Sequence, residues 1–289
     1  MISLKDFDVV GRTYRNINRY RQILTILFKY GFGNIIDALK IDQYLEIGLK
    51  MISRIKPERV DRLTQPQRVR LLFEELGPTF IKFGQILSTR PDLIPLHFIF
   101  ELEKLQDNVP EFPFSDVQKI LAKEFIHQED PFLSMEENPF ASASIGQVHL
   151  AKLKTGETVA VKIQRPGIRK QIRVDLEIMN HLATLMERHI EDLSFFRPIK
   201  IVEEFASTLE KELDYTLEAS NMERVAQQFL FDSSIHIPKV YLDKTTETVL
   251  TMEYIQGIKI SDVDMLDREG MDRKLLTRQG AQFILKQVF

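Results

Sequence analysis

Ala141-Ser142-Ala143-Ser144-Ile145-Gly146-Gln147-Val148, followed after a short connection by Val159-Ala160-Val161-Lys162, is the stretch whose reading decides the fold. Residues 148–153 and 158–163 are short, apolar, β-branched runs joined by Lys154-Thr155-Gly156-Glu157. A glycine in a connection of that length predicts a β-hairpin. Alternation places Ala160 and Lys162 on one face of the second strand, opposite Val159, Val161 and Ile163. The small side chain leaves room for an adenine ring, and the ammonium beside it suits phosphates as a compact point charge. The loop 141–148 can offer backbone N–H groups to phosphate oxygens. Alanine and serine carry a Cβ, so this loop is stiffer than a glycine loop. Alone, it would read as a tight turn of small residues under a core helix; with Lys162 it reads as an ATP site of unusual build.

Outward from the hairpin, Arg165-Pro166-Gly167 closes the strand pair and a helix follows, with Ile172, Leu176, Met179, Ala183, Met186 and Ile190 on one face. The next helix is predicted over about 199–229, with Phe205, Leu209, Leu213 and Leu217 at i, i+4 spacing. Residues 240–242 and 248–253 read as strands, and 275–288 as a helix that stops in mid-pattern. On the N-terminal side, everything up to about Met135 reads as helices, including 35–55 and 67–76. Gly77-Pro78 breaks the chain, with Pro78 suited to the first turn of a new helix. That helix carries Lys82-Phe83-Gly84-Gln85 and ends at Arg90-Pro91-Asp92. A further helix runs from Leu96 towards Asn108, and Val109-Pro110-Glu111-Phe112-Pro113 is a linker. No repeat or low-complexity tract is present.

The chain of 289 residues is 44% hydrophobic and 28% charged, ordinary for a globular protein with ample core. Its net charge of -3 gives no reason to expect nucleic acid. There are no cysteines, which excludes disulfides and thiolate zinc sites. No apolar run reaches the roughly 18 residues of a membrane-spanning helix, and Lys5, Asp6 and Asp8 do not begin a secretory signal. Around residues 17–36, Arg12, Arg15, Arg19, Arg21 and Lys29 are mixed with Ile23, Leu24, Ile26, Leu27, Phe28 and Phe32. A basic amphipathic helix of this kind can lie on an anionic membrane surface; the plainer alternative is a helix packed on its own domain. The histidines show no metal-ligand spacing, no metal-ligand set is read, and nothing resembles a Ser-His-Asp set.

On the helix predicted over 199–229, Lys211, Asp214 and Glu218 fall on one face and Glu212 lies beside it. Asp214 and Glu218 are like charges at i, i+4, which costs a few tenths of a kcal/mol on a bare helix. A cation between them reverses that sign, and Lys162 is a candidate, since kinases pair a strand lysine with a helix glutamate. On spacing alone, solvated acidic surface remains the simpler account. Lys82 and Gln85 lie three apart on one helix face, with Gly84 allowing close approach of another backbone; spacing assigns the pair no role. Met252-Glu253-Tyr254-Ile255-Gln256-Gly257 follows a strand as a crossover between lobes would, and the backbone of Glu253 and Ile255 there could bond an adenine edge.

These residues together resemble the UbiB family of atypical, protein-kinase-like proteins. The resemblance rests on Lys82-Phe83-Gly84-Gln85 with Leu87-Ser88-Thr89-Arg90-Pro91-Asp92-Leu93, on Leu105-Gln106-Asp107-Asn108-Val109-Pro110, and on 141–149 and 159–167. Glu212-Leu213-Asp214-Tyr215-Thr216-Leu217-Glu218-Ala219-Ser220-Asn221 and 252–257 complete it, in family order. It implies an α+β fold: a protein-kinase-like N-lobe of a small antiparallel sheet plus helices, with a helical N-terminal extension and a truncated C-lobe. The implied divisions are 1–135 for the extension, 136–257 for the N-lobe and hinge, and 258–289 for the start of the C-lobe.

By the same resemblance, Lys82 and Gln85 belong to a KxGQ helix that folds over the nucleotide site; a separate expectation is that Lys82, placed over the phosphates, disfavours protein phosphorylation. Glu212 and Asp214 correspond to an ExD pair that engages that lysine and the metal. Glu218 resembles the glutamate that pairs with Lys162, with Glu212 still open. Residues 141–148, Ala160, Lys162, Glu218, Glu253 and Ile255 would bind ATP with Mg²⁺. The implied role is ATPase or small-molecule kinase action in ubiquinone or other prenyl-lipid biosynthesis. Its partners would be a prenyl-lipid or quinone precursor and quinone-biosynthesis proteins. A non-catalytic, nucleotide-gated lipid-binding or chaperone-like module is the rival.

Two departures stand out. Ser142 and Ser144 interrupt the family's alanine loop. The catalytic loop with its general-base Asp, and the metal-binding D-F-G, are not in the sequence. The expectation is therefore an N-terminal portion without competent turnover. It would come from a cytoplasmic protein peripheral to the inner membrane and anchored by helices further downstream.

Overall fold

A computed structural model describes residues 4–41, 60–105, 111–127, 129–191 and 195–288. In chain order its elements are α1 (Leu4–Lys29), α2 (Gly33–Ala38), α3 (Gln65–Leu76), α4 (Pro78–Ser88), α5 (Leu96–Leu102) and α6 (Phe114–Glu124). The strands β1 (Phe132–Met135), β2 (Ala141–Ser142), β3 (Gly146–Leu153) and β4 (Thr158–Gln164) follow. Then come α7 (Ile168–His189), α8 (Pro198–Glu212), α9 (Tyr215–Gln228), β5 (Val249–Glu253), α10 (Val263–Arg268) and α11 (Arg273–Val288). The fold is α+β and kinase-like, with a small antiparallel sheet among the described residues. No helix among the described residues is long and apolar enough to cross a membrane. The linker residues Val109 and Pro110 and most of the helix predicted over 35–55 lie outside the described residues, as do Arg12 and Arg15 at the level of side chains.

The chain forms two compact units, each assembled from three segments. The first comprises Met1–Asp116, Ala141–Gln147 and Gln164–Leu213; the second comprises Val117–Phe140, Val148–Ile163 and Asp214–Phe289. In the first, the apolar stripe of α1 faces inward. Leu24 packs with Ile36, Leu39, Ile41 and the α7 residue Leu185 in one buried cluster, and Ile23 and Ile26 are buried as well. The basic amphipathic helix is thus packed on its own unit, and it stops where Gly31 takes a φ of +81°. A second cluster joins Ile81 of α4, Leu102 of α5 and Leu105, flanked by Val69 and Phe73 of α3. Pro78 opens α4 at its first position, where its missing N–H costs nothing.

In the second unit β1, β3, β4 and β5 form a sheet in that order. The hairpin predicted from 154–157 forms, closed by Leu153 N–H donating to Glu157 O at 2.9 Å. β4 and β5 run antiparallel with Ala160 opposite Met252 and Lys162 opposite Leu250. Val159, Val161 and Ile163 are fully buried on the other face.

Several expectations are corrected. β1 lies within the stretch read as wholly helical. α5 ends at Leu102, well short of Asn108. Residues 240–242 form a single bridge at Val240 with Met252 and then a 3-10 turn, Leu242–Lys244, instead of a strand. The helix predicted over 199–229 is two helices, α8 and α9. Asp214 takes extended dihedrals as the N-cap of α9, its carboxylate accepting from Thr216 N–H at 3.0 Å. Asp214 and Glu218 are therefore not i, i+4 neighbours within one helix body, and the repulsion expected of such a pair does not apply.

Candidate functional site

In the second unit, Lys162 reaches from β4 to Glu218 on α9, with its Nζ 3.0 Å from Oε1 and 2.8 Å from Oε2. The same ammonium stands 4.7 Å from the centroid of the Tyr215 ring. Tyr215 and Glu218 are three apart on α9 and so lie on one face. Tyr215 is fully buried, whereas the Lys162 side chain keeps 21% exposure, enough for a solute anion to reach it. Of the two glutamates open to Lys162 in the sequence, Glu218 is the one it meets. Ala160, on the same strand face, is buried and presents only a methyl group.

β5 ends at Glu253, which is fixed twice to the segment before it. Its N–H donates to Lys239 O at 2.8 Å, and its Oε2 accepts from Lys239 N–H at 3.0 Å. His236 Nε2 stands 2.9 Å from the same oxygen. The Lys239 N–H first, and then His236, hold the Glu253 carboxyl below the usual glutamate range, against the opposing pull of burial. Because the Glu253 N–H is spent on Lys239, its carbonyl is the group it can offer an adenine edge. The next residue, Tyr254, meets Phe140 edge to face with ring centroids 5.6 Å apart. Ile255 beyond it is exposed.

In the first unit, the loop 141–147 is a tight turn. Ala143 N–H donates to Gly146 O at 2.8 Å and Gly146 N–H donates back to Ala143 O at 3.4 Å. Those two N–H groups are spent within the turn. Ser144, Ile145, Gly146 and Gln147 are buried, Ser142 and Ala143 are half-buried, and Ala141 is exposed. Val148, the first residue of the second unit's share of β3, is half-buried.

Also in the first unit, Lys82 of α4 pairs with Glu212 at the end of α8, Nζ to Oε2 at 2.8 Å. Between the same helices Phe83 packs on Phe205, centroids 5.0 Å apart. Gln85 donates to Leu105 O at 3.0 Å. Gly84 is needed for close approach, but of the Leu105 and Phe73 side chains and not of a backbone: a Cβ there would lie 2.3 Å from Leu105 Cδ1. The C-terminus of α8 is held by Gln164 and Arg169, both donating to Leu213 O, at 2.7 and 2.5 Å. Glu212 and Asp214 thus close one helix and cap the next. No group of three or more Asp, Glu or His side chains able to hold a metal gathers among the described residues.

Sequence reasoning missed Tyr215, Arg169 and the Phe140–Tyr254 pair. Phe140 directly precedes the small-residue loop and Tyr254 directly follows Glu253, so their placement in the motifs was a readable signal. Tyr215 and Arg169 gave none, since their roles depend on where α9 begins and α8 ends.

The ABC1 atypical kinase-like domain matches residues 104–289. A protein of Aliivibrio fischeri called probable protein kinase UbiB is 37% identical over 287 residues, covering 96% of this chain and 51% of its own length. The protein of that name in Marinobacter nauticus is 41% identical over 229 residues, covering 79% of this chain and 42% of its own. A solved Mycobacterium tuberculosis structure, a complex with erythromycin, is similar at a TM-score of 0.46 and 30% identity over 67% of this chain and 49% of that one. The chain spans about half the length of the curated relatives it matches.

Proposed function

This chain belongs to the ABC1 atypical kinase-like family, and on that premise we propose that it binds Mg-ATP for an atypical kinase or ATPase. That enzyme would serve ubiquinone or other prenyl-lipid biosynthesis, with a prenyl-lipid or quinone precursor as its partner. The observation that carries the reading is the Lys162–Glu218 pair on β4 and α9. A lysine on a strand, turned to a helix carboxylate and kept partly accessible, is a cation whose direction is fixed before any anion arrives. Such preorganisation is what phosphoryl chemistry asks of a protein.

The residues present fit the nucleotide. Lys162 would hold its phosphate charge, Ala160 would leave the ring its space, and the Glu253 carbonyl would accept from its amino edge. Mg²⁺ ordinarily takes only one or two carboxylates from a protein and its other ligands from phosphates and water, and by the resemblance Asp214 is the carboxylate of this unit that would serve it. Bound, the pair supplies a transferable phosphoryl group with its charge partly neutralised. Lys162 would supply the remaining positive charge, and Glu218 keeps it aimed.

The test is ATP binding by calorimetry with and without Mg²⁺, on the parent chain and on Lys162→Ala. Micromolar to millimolar binding by the parent, weakened at least about tenfold in the variant by the loss of a charge-assisted contact, is expected. A parent that binds no ATP overturns the reading. So does a Lys162→Ala chain that binds ATP as the parent does.

A further inference from the structure

Asp175 is a charged residue on the buried face of α7, with Ile172 and Met179 around it in the helical pattern and no solvent exposure. Three donors converge on its carboxylate. Arg19 of α1 supplies Nε at 2.6 Å and Nη2 at 3.1 Å, and Thr79 in the first turn of α4 supplies its hydroxyl at 2.6 Å. The same Arg19 Nη2 donates to Leu76 O at the end of α3, 2.6 Å away, and the guanidinium stands 5.9 Å from the Phe80 ring centroid. One buried ionic knot therefore fastens α1, α3 and α7 to the start of α4. A buried pair of this kind seldom adds stability over a well-packed apolar substitute. What it fixes is geometry, because a planar fork and a hydroxyl meeting one carboxylate admit a single arrangement.

We propose that Arg19, acting through Asp175 and Thr79, is a positioning residue that sets the placement of α4 and thereby holds Lys82 against Glu212. Thr79 and Lys82 are three apart on α4, so the turn the knot fixes is the turn from which Lys82 projects. The knot also makes α1 the keeper of that placement. With Arg19 withdrawn, a buried carboxylate loses its countercharge, and the side-chain donor left to it is Thr79 at the start of α4. That Lys82 then matters to a nucleotide rests on the function proposed above; the placement of Lys82 does not.

The experiment measures amide exchange of residues 78–88 together with the acylation rate of Lys82 by an amine-reactive ester, in the full chain without nucleotide. In Arg19→Ala, exchange over 78–88 and labelling of Lys82 should each rise about tenfold, the scale of an unpaired buried polar group. Labelling of Lys162, which lies in the other unit, should stay unchanged. Arg19→Lys, which keeps the charge and loses the fork, should fall between. Asp175→Asn in the Arg19→Ala background, which removes the orphaned charge, should restore most of the protection. Thr79→Val, a near-isosteric change that removes one donor, should move both readouts the same way by a smaller factor even if Arg19→Ala fails to fold. Unchanged Lys82 labelling in Arg19→Ala and Thr79→Val overturns the proposal. So does a rise spread equally over α9 and Lys162, which is what general loss of stability would give. Failure of ATP binding by the parent chain would leave these outcomes untouched.

Discussion

A Cβ on Gly84 would lie 2.3 Å from Leu105 Cδ1 and 2.7 Å from Phe73 Cδ2, both in the cluster around Ile81 and Leu102. Two effects of opposite sign meet there. Alanine in a helix interior gains about 1 kcal/mol over glycine, while forcing a methyl into a packed site costs about 1–3 kcal/mol. Leu105 is buried and the Phe73 ring is wedged between Phe80 and Phe83, so neither can swing clear and the cost should win. Gly84→Ala is expected to lower the urea-unfolding free energy by up to about 2 kcal/mol, the overpacking cost less the helix-propensity gain. A variant about 1 kcal/mol more stable than the parent would mean that the cluster gives way without strain. The glycine was legible in the sequence as a point of close approach. What approaches it was not, because Leu105 and Phe73 reach it from the far end of α5 and from α3.

Among elements, the break between α8 and α9 carries the clearest consequence. Leu209, Leu213 and Leu217 keep their i, i+4 spacing straight across it, so hydrophobic period predicts one helix where there are two. The local signal was Asp214 two residues before Thr216, a cap that periodicity cannot detect. The hairpin of β3 and β4 was legible because its glycine connection and its alternation are local. The inward face of α7 was legible by its period, and Asp175 could have been flagged as a charge on that face. Its partner Arg19 could not, since only the tertiary fold brings α1 to α7. Asp214 caps α9, and on the function proposed it would also serve Mg²⁺. Asp214→Ala should cost about 1 kcal/mol of stability, whereas Asp214→Asn, an equally good cap, should cost almost none. An amide oxygen carries no charge and is a weaker ligand than a carboxylate for a hard cation, so Asp214→Asn should still blunt the Mg²⁺ dependence of ATP binding. Thermal unfolding of both variants beside a Mg²⁺ titration separates the roles. Full Mg²⁺ dependence in Asp214→Asn would leave capping as the whole of its work.

At the scale of the whole chain, each compact unit is built from three separate segments, so neither is a continuous stretch that could be cut out with its contacts intact. The first unit makes the point. Its N-terminal helices are completed by α7 and α8: Leu185 joins the cluster of Leu24 and Ile36, Asp175 answers Arg19, and Glu212 and Phe205 meet Lys82 and Phe83. A fragment of residues 1–135 keeps none of these partners. Leu24 keeps Ile36, Leu39 and Ile41 but loses Leu185, so α1 forfeits part of the about 1.5–3 kcal/mol that full burial of such a side chain gives, and Arg19 loses its countercharge. The packing among Val69, Phe73, Ile81, Leu102 and Leu105 stays within the fragment. Amide exchange of the 1–135 fragment should therefore show α1 much less protected than in the full chain, with the loss smaller in α3, α4 and α5. Equal protection of α1 in fragment and full chain would show that the N-terminal helices hold themselves together. In that case α7 would not be their shared support, nor Asp175 its fastening point.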